Sequence, residues 1–213
     1  MRQLRLGVFG GTFDPPHVGH LILAQEAVDQ LRLDRLLWVL TPHPPHKVDQ
    51  TISSLEIRFK LVMAAIEDNP SFELSRVDID RPAPHYAVDT LQILKDQYPT
   101  AEIFYLIGGD SLHDLPGWHQ PHRLIMQMDG LGVMRRPGDQ VDLRDLEQKI
   151  PGITQKIHFI EAPLLEISAR QIRQRIAAGR AYRYYLPPAV YQIIESLGIY
   201  RSKEYASNTE NGK

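Results

Sequence analysis

Residues 4–20 read Leu4-Arg5-Leu6-Gly7-Val8-Phe9-Gly10-Gly11-Thr12-Phe13-Asp14-Pro15-Pro16-His17-Val18-Gly19-His20. Residues 4–9 have the apolar character of a short buried strand. The stretch 10–16 holds two glycines and two prolines, so it cannot be helix and reads as a loop. From 18 to 31 the apolar residues Leu21, Ala24, Val28 and Leu31 recur at helical spacing, with the helix opening near Pro16-His17. A strand, a glycine-rich turn and a helix in that order form the opening unit of an α/β domain.

The alternation continues outward from this unit. Arg35–Leu40 (RLLWVL) is a second apolar run of strand length, followed by a rigid loop, Thr41-Pro42-His43-Pro44-Pro45-His46-Lys47. Residues 54–66 read as helix, with Leu55, Phe59, Val62 and Ile66 on one face, and 72–74 as a short strand. Residues 88–97 form a helix through Leu91 and Leu94. Residues 103–107 are a buried strand ending in Gly108-Gly109-Asp110, and 131–134 another ending in Arg135-Arg136-Pro137-Gly138. A strand at 156–160 and helices at 168–178 and 188–197 complete the series. Strands this short, apolar on both faces and separated by helices, predict an α/β fold. The expected architecture is a doubly wound, mostly parallel sheet with helices on both faces and a small C-terminal helical part at about 165–200. One domain over 1–200 is expected, with 201–213 as a polar, disordered tail.

Composition narrows the class. The chain has 213 residues, 43% hydrophobic and 23% charged, which excludes a disordered chain, a collagen and a coiled coil. With 24 basic and 26 acidic side chains the formal charge is −2, so no global field favours nucleic acid, and any anion must be held by a local cluster. There is no cysteine, which excludes disulfides, thiolate nucleophiles and Cys-based metal sites. No window approaches about 20 apolar residues, and the first residues lack a signal-peptide core. A cytoplasmic protein with no membrane partner is expected.

In parallel α/β sheets, ligands bind at the carboxyl ends of strands, and the unusual residues cluster there. Gly10 and Gly11 let backbone approach a ligand, and the helix behind them points free N–H groups into the crevice, which favours phosphate. His17 and His20, three residues apart, share one side of the first helical turn and can donate to phosphate oxygens. Gly19 between them permits close packing. Three plainer readings compete: a tight turn with capping histidines, a His-x-x-His metal pair, and a dinucleotide fingerprint. The same histidine spacing recurs at His43/His46 and His119/His122, which weakens the metal reading, and the loop lacks Gly-x-Gly-x-x-Gly. Near the C-terminus, Ile167-Ser168-Ala169-Arg170-Gln171-Ile172-Arg173 offers Ser168 as an N-cap and Arg173 in the following turn, where a guanidinium can fork phosphate oxygens. A capped helix with solvated arginines is the alternative.

The whole string around His17 resembles the Gly-x-Phe-Asp-Pro-x-His-x-Gly-His motif of the HxGH nucleotidyltransferase superfamily. The segment 167–173 is similar to that superfamily's Ile-Ser-x-Thr-x-Ile-Arg box, with Arg170 where threonine is usual. Four further features are similar to bacterial nicotinate-nucleotide adenylyltransferases: Pro44-Pro45-His46-Lys47, Tyr86 in its Pro-rich segment, Gly108-Gly109-Asp110 followed by Trp118, and the ending Leu197-Gly198-Ile199-Tyr200. This resemblance, spanning about residues 6–200, implies a Rossmann-like nucleotidyltransferase fold. It also implies a reaction: ATP and nicotinate mononucleotide give deamido-NAD and pyrophosphate, a step of NAD biosynthesis.

Roles follow from the resemblance. His17, His20 and Arg173 are the catalytic candidates. Gly10, Gly11, Thr12, Phe13, Gly108, Asp110 and Ser168 form the ATP and phosphate side. Trp118, Tyr86, Ala87 and Lys47 form the nicotinate-nucleotide side. Trp118 also has a physical rationale, because an indole face suits a flat, electron-poor ring. His85-Tyr86-Ala87 stands where Ser-Tyr-Thr is usual, which keeps a backbone contact and removes a hydroxyl. Lys47 can reach a phosphate or stay a solvated loop residue. Mg²⁺ is expected, held mainly by ATP and water because no acidic cluster is evident. A homo-oligomer is compatible with the sequence. The alternatives are preference for nicotinamide mononucleotide, another phosphate acceptor, and a nucleotide sensor without turnover.

Overall fold

The computed structural model describes residues 2–43, 51–134, 141–163, 165–202 and 205. Six strands, β1 (Arg5–Gly11), β2 (Arg35–Leu40), β3 (Phe72–Ser75), β4 (Glu102–Gly108), β5 (Gly130–Met134) and β6 (Ile157–Ile160), form one sheet in the order β3-β2-β1-β4-β5-β6. Every neighbouring pair is parallel. The helices are α1 (Val18–Gln30), α2 (Leu55–Ile66), α3 (Ala87–Gln97), α4 (Gly109–Asp114), α5 (Pro121–Gln127), α6 (Leu143–Lys149), α7 (Ala169–Ala177) and α8 (Pro188–Leu197).

The strand pleat sorts the apolar residues into two layers. Phe9, Trp38, Leu40 and Leu106 face one side, where they pack with Leu23 and Ala27 of α1, Leu61 of α2, Ile172 of α7 and Val190 of α8. Val8, Val39, Tyr105 and Val133 face the other, against Leu91 of α3, Leu112 of α4, Leu124 of α5 and Leu146 of α6. Both faces are therefore buried, which is why the strands read as unbroken apolar runs. This is the expected doubly wound α/β fold. Strand order reverses between β1 and β4, and that switch point opens a crevice at their carboxyl ends.

Three details differ from the sequence reading. Strand β1 runs through Gly10 and Gly11, which pair with Val39 and Leu40, instead of stopping at Phe9. A Cβ at Gly10 would lie 3.1 Å from the Tyr105 hydroxyl, and one at Gly11 would lie 2.6 Å from the Phe13 ring. The two glycines thus let the strand continue while Tyr105 and Phe13 cross it. Helices α4, α5 and α6 were not anticipated; six or seven residues each make under two turns, too few for an apolar period to emerge. Tyr205, expected in the tail, packs its ring edge-on to Tyr200 at 5.4 Å. Lys47 and Arg135-Arg136-Pro137-Gly138 lie outside the described residues. Among the described residues no helix is long and apolar enough to cross a membrane.

Candidate active site

A cleft of about 840 Å³ fills the switch point. Gly10, Gly11, Thr12, Phe13 and His20 line one wall; Gly108, Asp110, Trp118, Tyr86 and Ala87 line the other, and Arg173 reaches it from α7. Sequence-predicted residues from five separate segments are thus brought together. His17 and Ser168 do not line it: His17 is buried beside His20, and Ser168 caps the helix that carries Arg173, while Lys47 lies outside the described residues.

His17 is 5% exposed and is the N-cap of α1. Its ring stacks on His20, with centroids 3.7 Å apart and planes at 27°. Gly19 makes this possible, because a Cβ there would meet the His17 ring at 3.1 Å. His17 and His20 cap each other reciprocally, and the His17 backbone N–H donates to His20 Nδ1 at 3.2 Å. With Nδ1 accepting, Nε2 carries the hydrogen of the neutral imidazole and is the atom that can donate to a ligand. Phe13 closes the cage edge-on, 5.3 Å from the His20 ring. The His20 rotamer is therefore set by packing before any ligand arrives.

Helix α7 is held by a capping box in which the Ser168 hydroxyl accepts from the Gln171 N–H and the Gln171 side chain accepts from the Ser168 N–H. Ser168 thus starts the helix that carries Arg173. Ile172 is buried in the core, which turns the neighbouring Arg173 toward the cleft. Arg173 Nη1 donates to the Asp14 carbonyl at 2.6 Å, and its guanidinium lies 5.7 Å above the Tyr205 ring. A segment near the C-terminus and the loop leading into both histidines thus meet directly.

Asp14 joins further parts of the chain. Its carboxylate, in a residue 3% exposed, accepts from the Tyr200 hydroxyl at 2.5 Å and from the Ser53 N–H at 3.1 Å. Burial, with the Asp14 charge behind it, pushes the Tyr200 hydroxyl well above the ordinary tyrosine range. Beneath the loop lies Arg58 of α2, 2% exposed. It donates to four backbone carbonyls: Ser53 at 3.0 Å, Thr12 at 3.1 Å, Thr41 at 2.9 Å and Pro42 at 2.8 Å. Burial lowers its pKa, opposed by the negative charge of Asp14. Arg58 escaped the sequence reading. The available signal was a charged residue on the apolar stripe of its helix, three after Leu55 and four before Val62.

On the opposite wall, Trp118 is half-buried and edge-on to Tyr105 at 6.3 Å. Tyr86 is the N-cap of α3, so the first amides of that helix, from Ala87 onward, face the same region. The loop before it is fixed by Arg81, which pairs with buried Asp78 at 2.9 Å and donates to the Tyr86 carbonyl at 3.3 Å. His119 stacks on Tyr86 at 4.1 Å. Asp110 sits in the first turn of α4, and Gly108 beside it has nothing within 4 Å of where a Cβ would project. Among the described residues no three His, Asp or Glu side chains stand together as a metal cage.

The arrangement offers a preset imidazole donor, a guanidinium, helix amides and a flat aromatic face around one crevice. Its likenesses agree. Residues 8–175 match the family described as cytidylyltransferase-like. The chain is 44% identical over 200 residues to the probable nicotinate-nucleotide adenylyltransferase of Thermomicrobium roseum, covering 94% of this chain and 93% of that one. It is 39% identical over 197 residues to that of Exiguobacterium sibiricum, covering 92% and 99%. In fold it is similar to the Plasmodium falciparum nicotinic acid mononucleotide adenylyltransferase complexed with NaAD, with a TM-score of 0.76 over 93% of this chain and 98% of that one at 17% identity. The chain belongs to the cytidylyltransferase-like family, in the group of the nicotinate-nucleotide adenylyltransferases.

Proposed function

We propose that this protein transfers the adenylyl group of ATP to nicotinate mononucleotide, giving deamido-NAD and pyrophosphate. The carrying observation is the bond from Arg173 to the carbonyl of Asp14, in the loop that leads into His17 and His20 at the start of α1. It supports a site in which a cation and an oriented imidazole face the same cleft. A phosphate oxygen of the mononucleotide attacks the α-phosphorus in line; a new P–O bond forms and the bond to the β-phosphate oxygen breaks. The attacking oxygen is already anionic, so no general base is required. Catalysis then consists of alignment and charge stabilisation. His20 Nε2 donates to the α-phosphate, and His17 holds His20. The Gly10–Phe13 backbone and Gly108 receive the nucleotide, and Asp110 accepts its ribose hydroxyls. Arg173 takes the outer phosphates, and Ser168 acts by starting its helix.

For the acceptor, Trp118 stacks on the pyridine ring, the amides after Tyr86 at Ala87 meet its carboxylate, and Lys47 serves its phosphate. Mg²⁺ bound together with ATP would supply charge screening there; the described residues offer no acidic cage to hold it by themselves. Residues 1–200 act as one catalytic domain in the cytoplasm. The test is pyrophosphate release with ATP and either nicotinate or nicotinamide mononucleotide, with and without magnesium. Strong preference for the nicotinate form is expected. Equal or greater efficiency with the amide overturns the acceptor, and ATP binding without any pyrophosphate release overturns the enzyme reading.

A further inference from the structure

Asp14 presents a puzzle. Its carbonyl holds Arg173, yet its carboxylate does not. An aspartate and an arginine this close ordinarily pair, because the charge-assisted bond is among the strongest available. Here both carboxylate oxygens are already engaged, one by the Tyr200 hydroxyl at 2.5 Å and the other by the Ser53 N–H at 3.1 Å. Among the described residues the guanidinium of Arg173 instead donates to a neutral carbonyl, and its Nε is buried without a hydrogen-bond partner. Among the described residues no carboxylate pairs with it beside the cleft.

Tyr200 is built for this task. It is 2% exposed and adopts φ 66°, in the left-handed region that bulky residues rarely occupy. Such a conformation persists only where its surroundings demand it. The turn is prepared by Gly198 at φ 60°, which ends α8. The bond spans 186 positions of sequence, so it is tertiary in origin. Both Asp14 and Arg173 act electrostatically on this hydroxyl, which places the three groups in one local field.

We propose that Tyr200 is a positioning residue: by occupying the carboxylate of Asp14, its hydroxyl keeps Arg173 from forming an internal ion pair and leaves the guanidinium open to a polyphosphate anion. The inference rests on the cleft being a triphosphate site, as read above. Without the hydroxyl, Asp14 turns its freed oxygen to Arg173, and an incoming triphosphate must displace it.

The test is calorimetric titration with ATP and with inorganic tripolyphosphate. Tyr200→Phe is expected to bind both about tenfold more weakly than wild type. Tyr200→Phe combined with Asp14→Asn removes the competing charge and is expected to recover most of that loss. In an Arg173→Gln background, Tyr200→Phe is expected to change nothing further. Partial unfolding lowers the stoichiometry and not the fitted Kd, so the two effects separate. Where Tyr200→Phe does not fold, Tyr200→Met, a flexible filler without a donor, carries the same expectation. Wild-type Kd in Tyr200→Phe, or no recovery in the double variant, overturns the proposal. A wild type that binds triphosphate but gives no product with nicotinate mononucleotide overturns the reaction and leaves this role standing; one that binds no triphosphate overturns both.

Discussion

Replacing Arg58 by methionine separates the framing of the cleft from its chemistry. The guanidinium donates to four carbonyls drawn from the loops after β1 and β2 and from the start of α2. Hydrogen bonds to a charged group are worth about 1.5–3 kcal/mol each, so four set a gross contribution of at least about 6 kcal/mol. Against this stands the cost of burying the ion, several kcal/mol, which the downward pull of burial on its pKa reflects. Breaking such an arrangement from one side leaves carbonyls without donors and a net loss of about 3–5 kcal/mol. Methionine fills most of the volume, so little cavity cost is added. For a chain of this length about 1 kcal/mol shifts Tm by roughly 2–4 °C, giving a fall of about 10 °C. The assay is thermal unfolding by circular dichroism, with kcat and KM measured well below the transition. There kcat is expected to drop about tenfold, because a small misplacement of the phosphate loop is costly. Arg58→Lys keeps the charge and loses the fork, so it should recover less than half of the stability. A Tm change under about 3 °C with unchanged kinetics refutes the reasoning.

Other expectations concern the walls of the cleft. His20→Ala should lower kcat about 10²–10³-fold with little change in Tm; near-normal turnover shows that the imidazole does not meet the reacting phosphate. Trp118→Ala should raise KM for nicotinate mononucleotide about tenfold and leave KM for ATP close to wild type, read from initial rates with each substrate varied in turn. Gly108→Ala adds a methyl where nothing lies within 4 Å, so Tm should hold while KM for ATP rises about tenfold; unaltered ATP kinetics would remove Gly108 from the nucleotide site. Burial holds the Tyr105, Tyr182 and Tyr200 hydroxyls above the ordinary value of 10. A raised folded-state pKa gives stability that is complete below the unfolded value and lost as pH climbs past it. The urea midpoint should therefore stay level up to pH about 9 and decline above about 10, less steeply in Tyr200→Phe.

The sheet was legible because its strands are buried on both sides. Runs such as Arg35–Leu40 need only their apolar character and length to be recognised. β3 was harder, since Phe72-Glu73-Leu74-Ser75 offers two apolar residues and is recognisable mainly by its place between helices. Gly10 and Gly11 were read as loop because glycine is a poor strand former by itself; the ladder to Val39 and Leu40 overrides that preference. Within the site, the residues that the string around His17 makes distinctive could be found. Those that work through tertiary partners could not. The place of Arg58 on the apolar stripe of α2 marks it as inward-facing, but nothing in the sequence names the loop carbonyls it meets. Asp14 belongs to the quoted string, but its partner Tyr200 is a lone aromatic at the far end. Likewise the stacking of His17 on His20 depends on the missing side chain of Gly19, which a motif reports only as a letter.

The outermost strands of the sheet, β3 and β6, have four residues each. One edge carries an ion pair between Arg35 and Glu73, and at the other the Lys156 amine is tied to the carbonyls of Ile125 and Met128. So brief a border exposes few idle amides and carbonyls, and a foreign strand finds almost nothing to zip onto. Self-association by sheet extension is accordingly discouraged. Variants aimed at assembly therefore belong on surfaces other than the two sheet edges.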